Sequence, residues 1–278
     1  MDNKVILITG ASTGLGLVTG EKLVKQGYKV YGTSRDIKKF DEMIKVGINP
    51  IRLDVTSDES CNDCIKEIIE KEGKIDILIN NAGYGSYGPI ENVSIEEAKN
   101  QLEVNVFGLV RMTKLVIPYM RQKKSGKIIN VSSVAGRVTT YLGGWYHASK
   151  YAVETLSDSL RMETKRFGIY VSIIEPGAIT SNWGMIAMDN LEKSVDGTVY
   201  QEEAAKVART YRKMYNPNNK IISKPELVAK KISKAVNAKR PRTRYAFGFG
   251  AKILIFLHSV LPTRAFDWIM KSMYNIKI

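Results

Sequence analysis

Short apolar runs alternate with longer segments of helical periodicity through the first two thirds of this 278-residue chain. The runs are almost continuously apolar, as expected of strands that are covered by helices on both faces. The segments between them repeat apolar residues at helical intervals, and Ser or Thr caps open several of them. The predicted strands are 5–9, 29–33, 50–53, 75–80, 127–132 and 170–175. The predicted helices are 15–26, 57–71, 94–123 and 146–167. The alternation therefore predicts an α/β fold with a doubly wound parallel sheet and helices on both faces.

The regular alternation stops after Pro176. Residues 181–220 combine Trp and Met with a charged helix-like stretch, and we expect a substrate-covering segment at the edge of the sheet. The elements predicted beyond it are a helix at 224–238, a strand at 244–247, and helices at 251–257 and 263–273 within a C-terminal helical extension, 247–278. No Ser/Gly linker divides the chain, so residues 1–278 are predicted to form a single domain.

The positive charge is concentrated in the last quarter of the chain. Residues 201–278 hold 17 Lys and Arg against 4 Asp and Glu, a net charge of +13 out of the total of +14. Such a region can attract nucleic acid or anionic lipid, but solvated basic helices are the default interpretation. No nucleic-acid recognition motif accompanies the charge, so we expect no nucleic-acid partner. Peripheral membrane contact through residues 247–278 stays open as the less favoured alternative to soluble packing.

Several classes of protein are excluded or disfavoured by simple features. The longest apolar stretch, 247–261, is interrupted by Lys252 and His258 and falls short of the roughly 20 residues that cross a bilayer. The first residues predict a buried strand where a secretory leader would have a charged segment. Only 2 Cys and 2 His occur, so neither a disulfide framework nor a metal site is expected. These features favour a cytoplasmic protein.

The first predicted strand ends in a glycine-rich turn that leads directly into a helix. Gly10 permits the tight turn, Gly14 lets the backbone approach a pyrophosphate, and Gly16 allows close packing of helix on strand. The helix N-terminus adds free N–H donors and a partial positive charge. The residues predicted to bind the phosphates are Gly10, Ser12, Thr13, Gly14, Leu15 and Gly16. An ordinary tight turn is the alternative, but the order of strand, turn and helix favours dinucleotide binding.

The end of the second strand bears on which dinucleotide is bound. An acidic residue there would bond a ribose 2′-hydroxyl, whereas this chain has Ser34 and Arg35. A guanidinium can form paired charge-assisted hydrogen bonds to a 2′-phosphate. The sequence therefore predicts NADP(H) in preference to NAD(H). Asp36 complicates this prediction, because its carboxylate could pair with Arg35 or take the hydroxyl itself.

Tyr146 and Lys150 stand four residues apart at the start of the long predicted helix, and therefore on one face. A phenol has an ordinary pKa near 10 and is a poor acid–base catalyst at neutral pH. A neighbouring ammonium and an oxidised nicotinamide would stabilise the phenolate, so we expect the pKa of Tyr146 to be lowered. The pair alone occurs by chance on many helices, and its context decides its meaning.

Taken together, these motifs resemble the short-chain dehydrogenase/reductase family, in its standard-length, NADP-linked branch, over about residues 4–182. The further segments that carry the resemblance are Leu53-Asp54-Val55, Asn80-Asn81-Ala82-Gly83, Asn105, Ile129-Asn130-Val131-Ser132-Ser133 and Pro176-Gly177. The resemblance implies a single Rossmann-type domain that exchanges a hydride between nicotinamide and a carbonyl or secondary alcohol. It also implies a homodimer or homotetramer.

The resemblance assigns roles to individual residues. Ser133 would hold the substrate oxygen and Tyr146 would transfer the proton. Lys150 would lower the pKa of the tyrosine and bond the nicotinamide ribose, and Asn105 would hold a water in a proton relay. The residues implied to line the rest of the cofactor site are Asp54, Val55, Asn81, Ala82, Gly83, Pro176, Gly177, Ile179 and Ser181. Thr180 could replace Ser181 as the residue that holds the carboxamide.

Some of these roles have structural alternatives. Ser132 could enter the site in place of Ser133, because neighbours on a strand face opposite ways. Asn105 could satisfy backbone groups at a helix kink, and Asp54 and Asn81 could be turn residues at strand ends.

The apolar residues near the site point to the substrate class. Tyr141, Leu142, Trp145 and 182–188 suit a lipophilic steroid, retinoid or keto compound, although core or subunit packing would explain them equally well. The alternative function is a non-catalytic, NADP-binding sensor with the same fold.

Overall fold

Seven parallel strands form one sheet in the order β3-β2-β1-β4-β5-β6-β7. The computed structural model describes residues 4–180, 182–216, 219 and 222–276. The strands are β1 (Val5–Ile8), β2 (Lys29–Ser34), β3 (Asn49–Arg52), β4 (Ile77–Asn80), β5 (Gly126–Val131), β6 (Ile169–Pro176) and β7 (Arg244–Phe247). The predicted doubly wound parallel sheet is confirmed, and the strand predicted at 244–247 is its seventh member.

Helices cover both faces of the sheet, as predicted. The helices up to β6 are α1 (Gly14–Val24), α2 (Phe40–Lys45), α3 (Asp58–Glu72), α4 (Ile95–Leu102), α5 (Gly108–Gln122) and α6 (Gly144–Thr164). The helices after β6 are α7 (Asn182–Ser194), α8 (Gln201–Met214), α9 (Pro225–Asn237), α10 (Ala251–Val260) and α11 (Thr263–Ser272). The short helix α2 was not predicted.

The two cores follow from the alternation of side chains along the strands. On β1, Val5 and Leu7 face one core, together with apolar residues of α3 and α5. Ile6 and Ile8 face the other core, with residues of α1, α2 and α9. All four side chains are fully buried, which is why the strand reads as a continuous apolar run.

The direction of strand order reverses between β1 and β4. These neighbours pair in parallel, with Ile6 opposite Ile77 and Ile8 opposite Ile79, so their carboxyl ends lie side by side. In open α/β sheets, ligands bind in the crevice at this switch point. The fold thus brings the glycine turn after β1 next to the Asn80–Gly83 segment.

The prediction of one unbroken helix at 94–123 is wrong in its middle. Residues Glu103–Phe107 form a π-helical turn between α4 and α5. A π-helical turn adds one residue to a helical turn and is frequent at functional sites. Asn105 is buried within it.

The region after β6 folds against the same sheet. Helices α7 and α8 pack on each other, with Ala187, Met188 and Leu191 of α7 in a buried cluster that contains Tyr146. Helices α10 and α11 follow β7 and bury Ala251, Phe266 and Met270 in a separate small cluster. Within the described part of the chain, no helix combines the length and apolarity that crossing a bilayer requires. The described residues also bring together no group of three or more potential metal ligands.

Candidate active site

The glycine-rich turn has the backbone geometry that its sequence predicts. Gly10 and Gly14 have positive φ angles of 65° and 53°, which favour glycine. A Cβ at Gly16 would lie 2.3 Å from the Gly10 carbonyl oxygen, so only glycine allows α1 to pack this closely. No atom lies within 4 Å of a Cβ placed at Gly14, so the backbone there faces open space.

The N-terminus of α1 is left without a side-chain cap. Thr13 stands at the N-cap position but forms no capping hydrogen bond. Ser12 is buried, Thr13 is exposed, and Leu15 packs at the margin of the core that contains α1. The first N–H groups of the helix therefore point to the open side of the turn, where an anion would be stabilised.

Hydrogen bonds fix the turn to the segment that follows β4. Asn81 donates its side-chain amide to the carbonyl oxygens of Thr9 (3.0 Å) and Gly10 (2.9 Å). The Thr9 hydroxyl accepts from the backbone N–H groups of Asn81 and Ala82. The Asn81 side chain therefore holds the turn after β1 in place. The sequence analysis missed Thr9, whose only signal is its position at the strand end.

Arg35 lies exposed at the carboxyl end of β2, as its position predicted. The Asp36 carboxylate accepts from the Lys38 backbone N–H at 3.0 Å and caps the short turn that follows. Ser34 is buried and its hydroxyl accepts from the Asp36 N–H at 3.2 Å. The guanidinium thus faces solvent at the edge of the crevice.

Asp54 and Val55 follow β3 at the same end of the sheet. The Asp54 carboxylate accepts from the backbone N–H and the hydroxyl of Thr56, at 3.0 and 2.7 Å. Burial opposes ionisation of Asp54, but these bonds and the charges of Arg35 and Arg52 outweigh it, so its pKa lies below the ordinary value. Val55 is buried against Gly108 at the start of α5.

Ser133, Tyr146 and Lys150 converge at the carboxyl end of β5. The Ser133 side chain forms a hydrogen bond with Tyr146, and its hydroxyl also donates to the Pro176 carbonyl oxygen at 3.5 Å. The Lys150 ammonium donates to the Val131 carbonyl oxygen at 3.0 Å and lies 6.0 Å from the centre of the Tyr146 ring. Ser132 instead faces Glu154, which follows Lys150 by one turn of α6.

The pKa of Tyr146 is raised, and the expected lowering is wrong for this geometry. Burial is the largest cause and raises it to about 12, against a smaller lowering by the hydrogen bond with Ser133. Burial also lowers the pKa of Lys150 to about 8, opposed by the charge of Glu154. Burial thus shifts both groups towards their neutral forms, but Lys150 still carries its charge at neutral pH. At neutral pH the phenol holds its proton.

Asn105 is buried beside Lys150 and makes three side-chain hydrogen bonds. Its oxygen accepts from the Tyr84 N–H at 2.9 Å, and its amide donates to the Tyr84 carbonyl oxygen (2.8 Å) and the Ser149 hydroxyl (3.0 Å). A Cβ at Gly83 would lie 2.9 Å from the Asn105 oxygen and 3.8 Å from the Lys150 nitrogen. Asn105 therefore joins the loop after β4 to α6, as in the backbone-satisfying alternative.

The segment after β6 closes the opposite side of the crevice. The Gly177 N–H donates to the Phe247 carbonyl oxygen at 2.8 Å, and the Thr180 N–H donates to the Ser223 carbonyl oxygen at 2.9 Å. Ile179 and Ser223 form an isolated parallel bridge. Ser181 lies outside the described residues, so the choice between it and Thr180 stays open.

Four further tyrosines surround Tyr146, and the sequence analysis missed them. Tyr87 lies 5.8 Å from Tyr146 and 5.6 Å from Tyr211, measured between ring centroids. Tyr211 stacks at 5.8 Å on Tyr215 and at 6.0 Å on Tyr274. All five rings are buried, with residues of α7 and α8 around them. No periodic signal connects these positions, which come from four separate parts of the chain.

A buried ionic group stands behind Lys150. Glu154 and Glu175 are both almost fully buried, and the guanidinium of Arg244 reaches each of them at 3.1 Å. Arg137 also pairs with Glu175 at 3.2 Å. Burial and the charge of Glu175 raise the pKa of Glu154. Arg244 lies on β7, so the last strand contributes charge to the base of the site.

Comparison with known proteins agrees with this arrangement. The family described as short chain dehydrogenase matches residues 4–191. The chain belongs to the short-chain dehydrogenase/reductase family. Members of this family are oxidoreductases that use a nicotinamide cofactor.

Individual relatives match the chain along nearly its whole length. A probable short-chain type dehydrogenase/reductase, VdlC of Helicobacter pylori, is 37% identical, covering 94% of each chain. A 3-ketodihydrosphingosine reductase of Bacteroides thetaiotaomicron is 36% identical over 100% of both chains. An NADPH-dependent 3-dehydrocapnine reductase of Ornithobacterium rhinotracheale is 34% identical over 94% of each. A solved short-chain dehydrogenase from Streptomyces avermitilis has a TM-score of 0.80, with 29% identity and full coverage of both chains.

The residues of the crevice fit a nicotinamide dinucleotide. The open space at Gly14 and the uncapped start of α1 suit a pyrophosphate. The exposed Gly83 backbone lies between the glycine turn and Lys150, where a side chain would collide with Asn105. These observations describe a cradle that runs along the carboxyl ends of β1, β4 and β5.

Proposed function

We propose that this protein is an NADP(H)-dependent oxidoreductase that interconverts a carbonyl and a secondary alcohol on a lipophilic substrate. The observation that carries the proposal is the convergence of Ser133, Tyr146 and Lys150 beside the dinucleotide cradle. The three groups supply an oxygen ligand, a proton donor and a cation. Asn105 supports them by joining the Gly83–Tyr84 loop to Ser149 of α6.

When bound, nicotinamide supplies or accepts the hydride at the substrate carbon. Ser133 hydrogen-bonds the substrate oxygen and fixes its position. Tyr146 donates its proton to that oxygen in reduction and takes it back in oxidation. Lys150 stabilises the negative charge that develops on the phenol. Burial keeps the proton on Tyr146 at neutral pH, which is the form that acts as the acid in reduction.

Arg35 supports NADP(H) as the preferred cofactor. Arg35 is exposed at the ribose end of the cradle. Lys38 and Lys39 follow it closely in the chain, and Arg52 stands at the end of the neighbouring strand β3. Asp36 is turned to the Lys38 N–H, and the carboxylate that interacts electrostatically with Arg35 is that of Asp54, beyond the end of β3. One relative carries NADPH dependence in its name.

Substituting Arg35 tests this preference. Arg35→Ala is expected to weaken NADPH binding at least about tenfold while leaving NADH binding within about twofold. Lys45→Ala, which removes an exposed cation on α2, is the control. Equal or tighter binding of NADH by the wild type would show the preference to be wrong.

The tyrosine cluster supports a lipophilic substrate. Tyr87, Tyr211 and Tyr215 surround the ring of Tyr146, and Met188 and Leu191 of α7 complete an apolar enclosure. We therefore propose that residues 181–220 cover the substrate. Two relatives are named for reactions on 3-ketodihydrosphingosine and 3-dehydrocapnine, which suggests keto compounds of this kind as first substrates.

The decisive experiment follows NADPH absorbance with a panel of lipophilic ketones. Wild type is expected to turn over, and Tyr146→Phe to lose about 100-fold or more in kcat with its NADPH affinity unchanged. Tyr170→Phe, at the amino end of β6, is the matched control and should behave as wild type. Binding of NADPH without turnover of any ketone or alcohol would favour the alternative, a non-catalytic NADP-binding sensor.

We further propose a homodimer or homotetramer in the cytoplasm. Exposed apolar side chains on the α5–α6 side, Phe107, Leu156 and Met162, support self-association. The cysteines Cys61 and Cys64 are both free and buried, in keeping with a reducing compartment. Light scattering during gel filtration measures the oligomeric state.

A further inference from the structure

Helix α10 presents an apolar stripe to solvent. Phe249, Ile253, Phe256 and Val260 are 59%, 66%, 63% and 55% exposed. Ile253, Phe256 and Val260 are spaced three and four residues apart and lie on one face of the helix, and Phe249 precedes the helix in the turn before Gly250. Isolated apolar residues on a surface are ordinary, but three in register on one helix face form a continuous patch.

Helix α11, which packs against α10, exposes an indole. Trp268 is 59% exposed, and Arg264 lies one turn before it on the same side of the helix. We call Phe249, Ile253, Phe256, Val260 and Trp268 the C-terminal face.

The C-terminal face stands on a firmly packed base. Ala251, Phe266 and Met270 are buried against Val134 and Val138, in the segment that follows Ser133. His258 of α10 contacts the Phe266 ring of α11 edge-on at 4.9 Å, which links the two helices. Because the inner sides of both helices are filled, the exposed residues have no room to turn inward. Their exposure is therefore a property of the fold.

The charge around the face selects the kind of partner. Lys252 and Arg264 are exposed on the two helices, whereas Lys271 lies over the Tyr141 ring, 5.9 Å from its centroid. Asp267 is the only acidic residue of the segment 247–276. A second copy bound through a two-fold interface would bring two surfaces of the same positive charge together. An anionic lipid surface would neutralise them and also receive the apolar side chains.

We propose that the C-terminal face docks on an anionic lipid bilayer. The stripe of α10 enters the interfacial layer with the helix parallel to the membrane plane, and Trp268 lies at the headgroup level. Lys252 and Arg264 contact lipid phosphates.

The position of the C-terminal face relates docking to substrate entry. The same cluster that supports α10 and α11 includes Val134, directly after Ser133 in the chain. Docking would hold the substrate side of the crevice near the bilayer, so that a lipophilic ketone could enter without crossing water. This use rests on the proposed function, whereas docking itself is measured without any reaction.

The test is flotation of the full chain with vesicles of phosphatidylcholine containing phosphatidylglycerol. The wild type is expected to float with these vesicles and at least tenfold less with phosphatidylcholine alone. Phe256→Glu is expected to reduce flotation at least tenfold. Ile44→Glu changes an equally exposed isoleucine on α2, by β3 at the opposite edge of the sheet, and should float as wild type. Trp268 emission should shift to shorter wavelength on binding, and Trp268→Phe should remove that shift.

Two results would overturn the proposal. One is failure of the wild type to float with the anionic vesicles. The other is flotation of Phe256→Glu equal to that of the wild type, with both folded by circular dichroism. If the wild type is a dimer that does not float, and Phe256→Glu is a monomer, the face binds a second copy. If the wild type floats with the anionic vesicles but reduces no ketone, the result counts against the proposed function and leaves the docking proposal in place.

Discussion

The cofactor side and the substrate side of the crevice are built by different means. On the cofactor side, glycines and backbone hydrogen bonds set the shape, with Asn81 and Thr9 fastening the turn after β1. On the substrate side, packed side chains set the shape, mainly the rings around Tyr146 and the apolar residues of α7 and α8. Main-chain geometry demands particular residues at particular positions, whereas a packed enclosure accepts many combinations of similar volume. The cofactor side can therefore be predicted from a single sequence, whereas the substrate side cannot.

Breaking the cofactor side should have the largest effect. Gly16→Ala places a Cβ 2.3 Å from the Gly10 carbonyl oxygen and 2.8 Å from the Ala11 Cα, both of which are backbone atoms. We expect the free energy of unfolding to fall by about 3 kcal/mol. We also expect NADPH binding to become too weak to measure. Urea denaturation and NADPH fluorescence titration measure the two effects.

Gly73→Ala is the matched control for Gly16→Ala. Gly73 has a φ of 67°, a left-handed conformation that favours glycine, but a Cβ there would meet no atom within 4 Å. The cost should be about 1 kcal/mol, with NADPH binding intact. If Gly16→Ala bound NADPH like Gly73→Ala, the account of the cofactor side would be wrong.

Loosening the substrate side should have an intermediate effect that spares the cofactor. Leu191→Ala removes a fully buried side chain of α7 from the cluster around Tyr146. We expect about 2 kcal/mol of destabilisation and a raised KM for a lipophilic ketone, with the Kd for NADPH unchanged. Leu227→Ala, on the partly exposed side of α9, should change neither constant. A weakened NADPH affinity in Leu191→Ala would mean that the two sides are not separate.

The smallest expected effect concerns the charge that joins the two sides. Lys150 has its pKa lowered to about 8 by burial, and the charge of Glu154 opposes that lowering. Since the ammonium form exists below the pKa, kcat for reduction should fall as the pH rises through about 8. Glu154→Gln removes the opposing charge, so the fall should move to lower pH and cost about threefold or less at pH 8.

The pH–rate profile of the reductase measures the position of this fall. Glu163→Gln, at an exposed position of the same helix, should leave the profile unchanged. If the profile of Glu154→Gln coincided with that of the wild type, the charge of Glu154 would have no effect on the pKa of Lys150.

Most of the fold was predictable because its strands are buried on both faces. Val5–Ile8 and Ile77–Asn80 read as apolar runs for that reason, and Ser57 marks the start of α3 by accepting from the Ser60 N–H. The π-helical turn was not predictable, because Glu103–Phe107 keeps the apolar spacing of the helices around it. Helix α2 has only six residues, too few to show a period.

The placing of the site residues followed from strand ends and helix spacing. Tyr146 and Lys150 share one face of α6 because they are four residues apart, and Ser133 meets them at the end of β5. The sign of the pKa shift of Tyr146 could not be obtained this way. The sign of this shift depends on burial by Tyr211 and the apolar residues of α7 and α8. These residues lie 41 or more positions from Tyr146 in the chain, so only the folded structure brings them together.

The wide turn at Glu103–Phe107 sets a rule for exchanging parts between relatives. An α-helix advances about 100° per residue, so the single extra residue rotates everything after it by about that angle relative to what comes before. A chimera that joined α4 directly to a regular continuation would turn Asn105 away from Tyr84 and Ser149, and would present the wrong side of α5 to the sheet. Any transplanted helix must therefore bring its own irregular turn, or leave this one in place.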